Sequence, residues 1–407
     1  MPHTQTFSAG NVQRIFVSID ATRRCQLACR YCYFSGKSSG DMDVQRVERG
    51  LRNLVAVFPR VNALQLCFMG GEPLLAWEKI VDLIAKARAF CEDRGIRLFW
   101  GLMSNLIALD DRKAEFMIGE HAWIHCSIDG PADLHNANRP FQSGRNSFDF
   151  VRRNVQRALG ITPNDVASVT VCPDGAGRCA EISRFVLDLG FKYVAPRRAT
   201  GTEVTWSEES TAAFVHSLAD AYRASPTYPN RRRAVQILSK KYTKPRPQFE
   251  YCHGGKTQWA IDVDGHLYDC HHLTGMRDLS IVDLAEPPER IAQAISERSL
   301  SPHRGCAPIP PRCRQCSALD FCNGGCWAVN YLANHDSRIP DSASCRARVG
   351  LVEELGSLLT KDETPRAPAQ TPAGRERKTE TAEWVPSQPE ASPALNPRAG
   401  VPDSTGW

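Results

Sequence analysis

The sequence predicts an α/β protein, built from six strand–helix units that share a parallel sheet and followed by a smaller cysteine-rich region. Three observations lead there. Short segments rich in β-branched and aromatic residues alternate with helically spaced apolar residues through the first half of the chain. Strands joined by connections of that length pair in parallel through helical crossovers, in a barrel-like or doubly wound sheet. Beyond residue 250 the alternation gives way to closely spaced cysteines.

The strands are expected at 13–20 (QRIFVSID), 63–71 (ALQLCFMGG), 96–105 (IRLFWGLMSN), 122–130 (AWIHCSIDG), 166–174 (VASVTVCPD) and 191–196 (FKYVAP). Between the first two, Val44, Val47, Leu51, Leu54 and Val55 recur on one helical face, and similar patterns occupy 76–94 and 146–159. In either arrangement of such a sheet, ligands gather at the C-terminal strand ends. The suggestive short motifs fall there: the cysteines of CQLACRYCYF after strand one, Gly70 to Pro73 (GGEP) after strand two, Met103 to Asn105 ending strand three, and Ser127 to Pro131 (SIDGP) ending strand four.

Composition excludes several function classes. A chain of 407 residues with 42% hydrophobic residues can bury a large core. No apolar run reaches the roughly 20 residues that span a bilayer, and the start lacks the basic and apolar stretches of a secretory signal, so no membrane role and a cytoplasmic location are expected. A net charge of +5 makes no case for nucleic acid. Sixteen cysteines in a reducing compartment point to metal or redox chemistry rather than to disulfides.

Cys25, Cys29 and Cys32 form a CxxxCxxC triplet with no fourth partner nearby. Three thiolates hold three irons of a [4Fe-4S] cluster and leave the fourth iron open, whereas a structural zinc site prefers four ligands. The triplet, with Tyr31 before its last cysteine and GGE after the second strand, resembles the radical S-adenosylmethionine (SAM) superfamily. The resemblance implies a partial (β/α)6 TIM-like barrel. It implies that the open iron chelates SAM and that Gly70, Gly71 and Glu72 receive the methionine ammonium. It places Tyr31, Ser104, Asn105, Ser127, Asp129 and Arg139 among the cofactor contacts.

A second cysteine register follows. Cys252 and Cys270 bracket Gly265 as C-x12-G-x4-C; Cys313, Cys316, Cys322 and Cys326 read CxxCxxxxxCxxxC; Cys345 closes the set. A zinc ribbon accounts for one group of four and leaves the others unexplained. The register resembles a SPASM domain, the C-terminal extension that carries two auxiliary [4Fe-4S] clusters. The family pattern implies Cys252, Cys270 and Cys326 for auxiliary cluster I and Cys313, Cys316, Cys322 and Cys345 for auxiliary cluster II. Cluster I then lacks a fourth cysteine: its iron stays open or takes Cys306, His253 or His271. In the sulfatase-maturating branch an aspartate catalytic base follows the cysteine matching Cys270. Here His271 stands there as the candidate catalytic side chain, which makes sulfatase maturation a poorer fit.

Of the remaining cysteines, Cys67, Cys126 and Cys172 are read as buried residues within strands, and His135 as a turn or surface histidine, with a place on the active-site rim as the alternative. The expected organisation is an N-terminal extension (1–12), a radical SAM core (13–225), a basic linker (226–250), a SPASM domain (251–360) and a disordered, proline-rich tail (361–407). The linker, with Arg231 to Arg233, Lys240, Lys241 and Lys244, suits an acidic leader peptide or is a solvated face.

The resemblance implies reductive cleavage of SAM to a 5′-deoxyadenosyl radical that abstracts hydrogen from a ribosomally made peptide, forming a carbon–carbon or thioether crosslink or an oxidised residue. The implied partners are a precursor peptide and a reductant such as flavodoxin or ferredoxin. With no fused recognition domain before strand one, the leader is expected to bind the core, the basic linker or a separate leader-binding protein. Sulfatase-type residue oxidation, a radical enzyme acting on a small molecule and a non-catalytic iron–sulfur electron carrier remain alternatives.

Overall fold

The computed structural model describes residues 9–34, 37–161, 166–200, 204–224, 253–299, 310–322 and 324–356. Strand β1 (Arg14–Thr22) buries Ile15, Val17, Ile19 and Ala21 at alternate positions and Ser18, Asp20 and Thr22 between them. A strand buried on both faces belongs inside a parallel sheet. β1 is flanked by β2 (Ala63–Gly70) and β7 (Gln258–Ile261), both parallel to it. Beyond β2 follow β3 (Arg97–Ser104), β4 (Trp123–Ser127), β5 (Val166–Val171) and β6 (Tyr193–Arg198), each parallel to its neighbour. The six expected strands are therefore present in the expected order.

The sheet does not stop where the alternation stops. β7 continues through antiparallel β8 (His266–Tyr268) and β9 (Val282–Asp283), giving a sheet of nine strands in the order β6-β5-β4-β3-β2-β1-β7-β8-β9. The region that carries Cys270 is thus hydrogen-bonded to the first strand, through Phe16 to Ile19 opposite Gln258 to Ile261. The sequence masks this link because the pairing partners lie more than two hundred residues apart.

The crossovers are α1 (Val44–Ala56), α2 (Trp77–Glu92), α3 (Asp111–Gly119), α4 (Ala132–Asn138), α5 (Phe148–Leu159), α6 (Cys179–Asp188) and α7 (Glu208–Arg223). α1 starts where the Asp43 side chain accepts from Arg46 N at 3.0 Å, and it buries Val47, Leu51, Leu54 and Val55. Each such aliphatic side chain contributes roughly 1.5–3 kcal/mol on burial. Gly50 on the same helix approaches β9's neighbour Leu284 so closely that a Cβ would sit 2.7 Å from the leucine Cβ.

The C-terminal region adds α8 (Pro288–Ser299), α9 (Leu319–Cys322), α10 (Trp327–Asn334) and α11 (Ser342–Gly356). α11 returns to the barrel: Leu355 packs with Ala219 of α7, and Arg198 at the end of β6 pairs with Asp341 at 2.8 Å. A small second core of Ala260, Tyr268, Leu273, Trp327 and Ala328 lies behind Cys270 and Cys326. No helix among the described residues is long and apolar enough to cross a membrane.

Two expectations need correcting. Cys172 is buried but lies just past β5, where it precedes a 3-10 turn, because Pro173 ends the ladder. His135 is fully buried rather than a surface histidine, and its Nδ1 accepts from Asp129 N at 3.3 Å. Cys252, Cys306, the basic segment 226–250 and the tail lie outside the described residues.

Candidate active site

The loop that carries Cys25, Cys29 and Cys32 runs from the end of β1 across the C-terminal rim of the sheet. Two straps hold it. On one side, Gly71 N donates to Thr22 O and Glu72 N to Arg24 O, both at 2.8 Å, so GGE is bonded to the residues just before Cys25. Glycine is required there: a Cβ at Gly71 would fall 2.1 Å from Arg24 O, and Gly70 has φ +109°. On the other side, Ala28 N donates to Pro140 O at 2.8 Å, Arg30 N to Asn138 O at 3.1 Å and Gln142 Nε2 to Cys25 O at 2.6 Å.

Glu72 is 1% exposed and joins three strand ends. Its Oε1 accepts from Leu74 N at 3.1 Å and Ser104 Oγ at 2.8 Å, and its Oε2 from Asn105 N at 2.8 Å. A carboxylate oxygen takes two donors, so Oε2 keeps one acceptor position. Burial pushes this carboxyl up to about 7, against the pull of these donors and of Arg139. A cation on the remaining lone pair would stabilise the ionised form. Asn105 also turns its amide toward Gln26 Oε1 at 3.3 Å and Cys25 Sγ at 3.9 Å.

Tyr31, Asp129 and Arg139 meet beneath the loop. Tyr31 OH donates to Asp129 Oδ2 at 2.6 Å, Arg139 Nε lies 3.0 Å from the same oxygen, and the Arg139 guanidinium covers the Tyr31 ring at 5.3 Å. Asp129 Oδ1 accepts from Thr170 N at 2.9 Å. Ser127, the last residue of β4, is half-buried. The expected residues thus lie in two groups at the C-terminal strand ends, Gly70, Gly71, Glu72, Ser104 and Asn105 in one and Tyr31, Asp129 and Arg139 in the other, with Ser127 at the end of β4.

The C-terminal thiols separate into two places. Cys313, Cys316, Cys322 and Cys345 are close enough that burial and then the charges of the other three raise Cys313. Cys322 Sγ accepts from Arg348 Nη1 at 3.6 Å. Cys326 instead heads α10 and packs with Cys270 on the second core.

Tyr33 and His272, which the motifs did not mark, pack together with His271 and link the loop of the first thiols to the turn after Cys270. Tyr33, one residue after Cys32, packs its ring against His271 at 5.3 Å and His272 at 5.0 Å, and the two imidazoles stack at 4.4 Å. Burial holds His271 well below the usual imidazole range, with His272 and Arg197 adding to it. Asp20, on the polar face of β1, is 2% exposed and neither carboxylate oxygen accepts a hydrogen bond. The hydroxyl of Thr274 beside it donates to His271 O at 2.9 Å. Burial pushes Asp20 up to about 7; Thr274 opposes this, Asp262 reinforces it and Arg23 opposes it. The one signal in the sequence was an aspartate inside an otherwise apolar central strand.

The donor set suits an iron–sulfur cluster: three thiols on one loop, partly open, beside a glycine-lined turn and a buried acceptor carboxylate. Burial pushes Cys25 up to about 11, with Glu72 and Cys29 adding and Leu27 N and Lys37 opposing, a protonation state that bound iron reverses. Among the described residues no three His, Cys, Asp or Glu side chains already converge on a metal position.

Residues 19–178 match the radical SAM superfamily. The chain is 23% identical over 325 residues to the serine-type anaerobic sulfatase-maturating enzyme of Klebsiella aerogenes, covering 76% of this chain and 79% of that one. It is 24% identical over 335 residues to PqqA peptide cyclase of Xanthomonas campestris, covering 76% and 81%. Its fold is similar to the solved structure of native anSMEcpe with bound AdoMet, with a TM-score of 0.71 at 17% identity over 86% of this chain and 100% of that one. Streptococcus suis SuiB bound to precursor peptide SuiA gives 0.58 at 15% identity over 81% and 76%. Together with the three-thiol loop and the GGE turn bonded to it, these findings give the chain a radical SAM domain over residues 19–178, similar to that of peptide- and protein-modifying enzymes.

Proposed function

We propose that this enzyme matures a ribosomally made peptide by radical chemistry, forming a crosslink or an oxidised residue. The observation that carries the reading is the ring contact of Tyr33 with His271 and His272. It joins the residue after Cys32 to the residues after Cys270, and we take the two thiol regions to serve one substrate. Cys25, Cys29 and Cys32 would hold a [4Fe-4S] cluster, which with bound SAM would supply the radical chemistry for hydrogen abstraction from the substrate.

The chain's own residues hold and orient. Glu72 Oε2 offers its remaining lone pair to the methionine ammonium, and Ser104 and Asn105 fix that carboxylate. Asp129, set by Tyr31, Arg139 and Thr170 N, presents a rigid polar wall to the ribose side. His271, packed on Tyr33, is assigned as the candidate proton acceptor. Cys252, Cys270 and Cys326 are assigned to auxiliary cluster I, and Cys313, Cys316, Cys322 and Cys345 to auxiliary cluster II. A precursor peptide, a reductant such as flavodoxin or ferredoxin and a separate leader-binding protein complete the proposed partners.

Oxidation of a serine or cysteine in a folding protein is the second reading, favoured by the span of the alignment to the Klebsiella aerogenes enzyme. His271 in the position of that branch's catalytic aspartate weighs against it. Anaerobic co-expression with short peptides encoded beside the gene, read by mass spectrometry, separates the two. Loss of two hydrogens with a new link between residues supports crosslinking. An aldehyde on a sulfatase peptide, with no linked product, overturns it.

A further inference from the structure

Helix α8 contains no cysteine and no residue that the motifs assign to the site. Its residue Arg298 is nonetheless buried, with its side chain 4% exposed, and its guanidinium engages three groups. It forms an ion pair with Asp269, whose side chain is 1% exposed. Its Nη2 donates to Gly255 O at 3.0 Å, and its guanidinium lies 5.3 Å from the centre of the Trp259 ring. Asp269 directly precedes Cys270, and Gly255 follows Cys252 by three positions. Gly255 has φ +77°, and a Cβ there would fall 2.4 Å from Asp269 Oδ1 and 2.6 Å from Arg298 Nη2. The ion pair and the turn therefore fit only around a glycine.

We propose that Arg298 is a positioning residue for auxiliary cluster I, fixing the turn that carries Cys270 against the 253–258 turn and the floor of β7. The inference rests on the auxiliary-cluster reading above. A buried ion pair is a poor way to add stability, because desolvating both charges offsets much of their attraction and an apolar pair of similar size does as well. What a guanidinium adds is a rigid fork of donors with defined directions. Here that fork is applied one residue from a thiol ligand, where a ligand set tolerates errors of only about 0.5 Å. Trp259 extends the hold to the barrel, since it pairs with Val17 of β1.

The test compares full-length wild type, Arg298→Met, Arg298→Lys and the double variant Asp269→Leu/Arg298→Met, all purified anaerobically and reconstituted with iron and sulfide. Iron per chain, the EPR spectrum of the dithionite-reduced protein and the melting temperature are measured. The wild type is expected to hold about twelve irons in three clusters. Arg298→Met should lose about a third of them and one EPR signal, keeping the signal that shifts on adding SAM, and Arg298→Lys should recover part of the loss. The double variant should regain the melting temperature but not the missing signal, which separates positioning from fold stability. Wild-type iron and EPR spectra in the double variant would overturn the inference and leave the auxiliary clusters standing. A wild type with only about four irons would overturn the auxiliary-cluster reading, and the inference with it.

Discussion

Asp20→Asn should stabilise the protein at neutral and alkaline pH and do almost nothing at acid pH. The carboxyl is 2% exposed, has the Thr274 hydroxyl as its near donor without a well-formed hydrogen bond, and is raised to about 7 by burial against Thr274, with Asp262 adding. Its neighbour shows what a supported acid looks like: Asp262 accepts from Asp264 N at 3.0 Å, His266 N at 2.9 Å and Tyr268 OH at 2.9 Å. Because the folded pKa lies above the ordinary value of 3.8, the folded state binds the Asp20 proton more tightly than the unfolded chain. Its stabilising effect is complete below pH 4, is lost as the pH rises through about 7, and leaves a constant penalty above that. At about 1.36 kcal/mol per tenfold change in proton affinity, the full penalty is roughly 4 kcal/mol. Asparagine keeps the shape and cannot ionise. Guanidinium unfolding of both proteins at intervals from pH 5 to 8.5, under anaerobic conditions, should show a difference that grows with pH. A difference independent of pH, or an asparagine variant less stable at pH 8, would refute the reasoning and show that the carboxylate has a partner it needs. A fold that retains such a group keeps it for a reason other than stability.

Three further outcomes follow from the SAM side and the C-terminal thiols. Glu72→Gln should weaken SAM binding about ten- to a hundredfold in equilibrium dialysis, the loss of one charged hydrogen bond worth roughly 1.5–3 kcal/mol; unchanged affinity would make the motif a structural strut only. The alanine variant is a worse probe, because it also strands Asn105 N and Leu74 N. Gly71→Ala must displace Arg24 O, and with it the Cys25 loop, so SAM-dependent EPR changes should vanish while the C-terminal signals stay. Cys345→Ala should remove one cluster's iron and leave 5′-deoxyadenosine formation without peptide intact, measured by chromatography.

Most of the fold was legible because its signals are local. The β-branched and aromatic segments within 13–105 mark strands buried on both faces, the period-3.6 pattern between them marks helices buried on one, and parallel strands bring the motifs at their C-terminal ends to one rim. The GGE turn was legible too, though not why both glycines are needed, since Arg24 O approaches from another element. What stayed hidden depends on partners far away in sequence. β7 was invisible as a neighbour of β1, His135 gave no sign of being buried under Asp129, and Tyr33 gains meaning only from His271 and His272. Arg298 reads as an ordinary helix-end arginine until Gly255, 43 positions earlier, is seen to accept its hydrogen bond.

The central claim is that Cys25, Cys29 and Cys32 support radical cleavage of SAM in the service of modifying a peptide. The most direct measurement is anaerobic incubation of the reconstituted enzyme with SAM and dithionite, with 5′-deoxyadenosine and methionine quantified beside the Cys25→Ala/Cys29→Ala/Cys32→Ala variant. Equimolar 5′-deoxyadenosine and methionine are expected from the wild type and none from the variant, with a loss in the variant of about four irons per chain. Zinc in place of iron after anaerobic purification, or cleavage that persists without the three thiols, would contradict it.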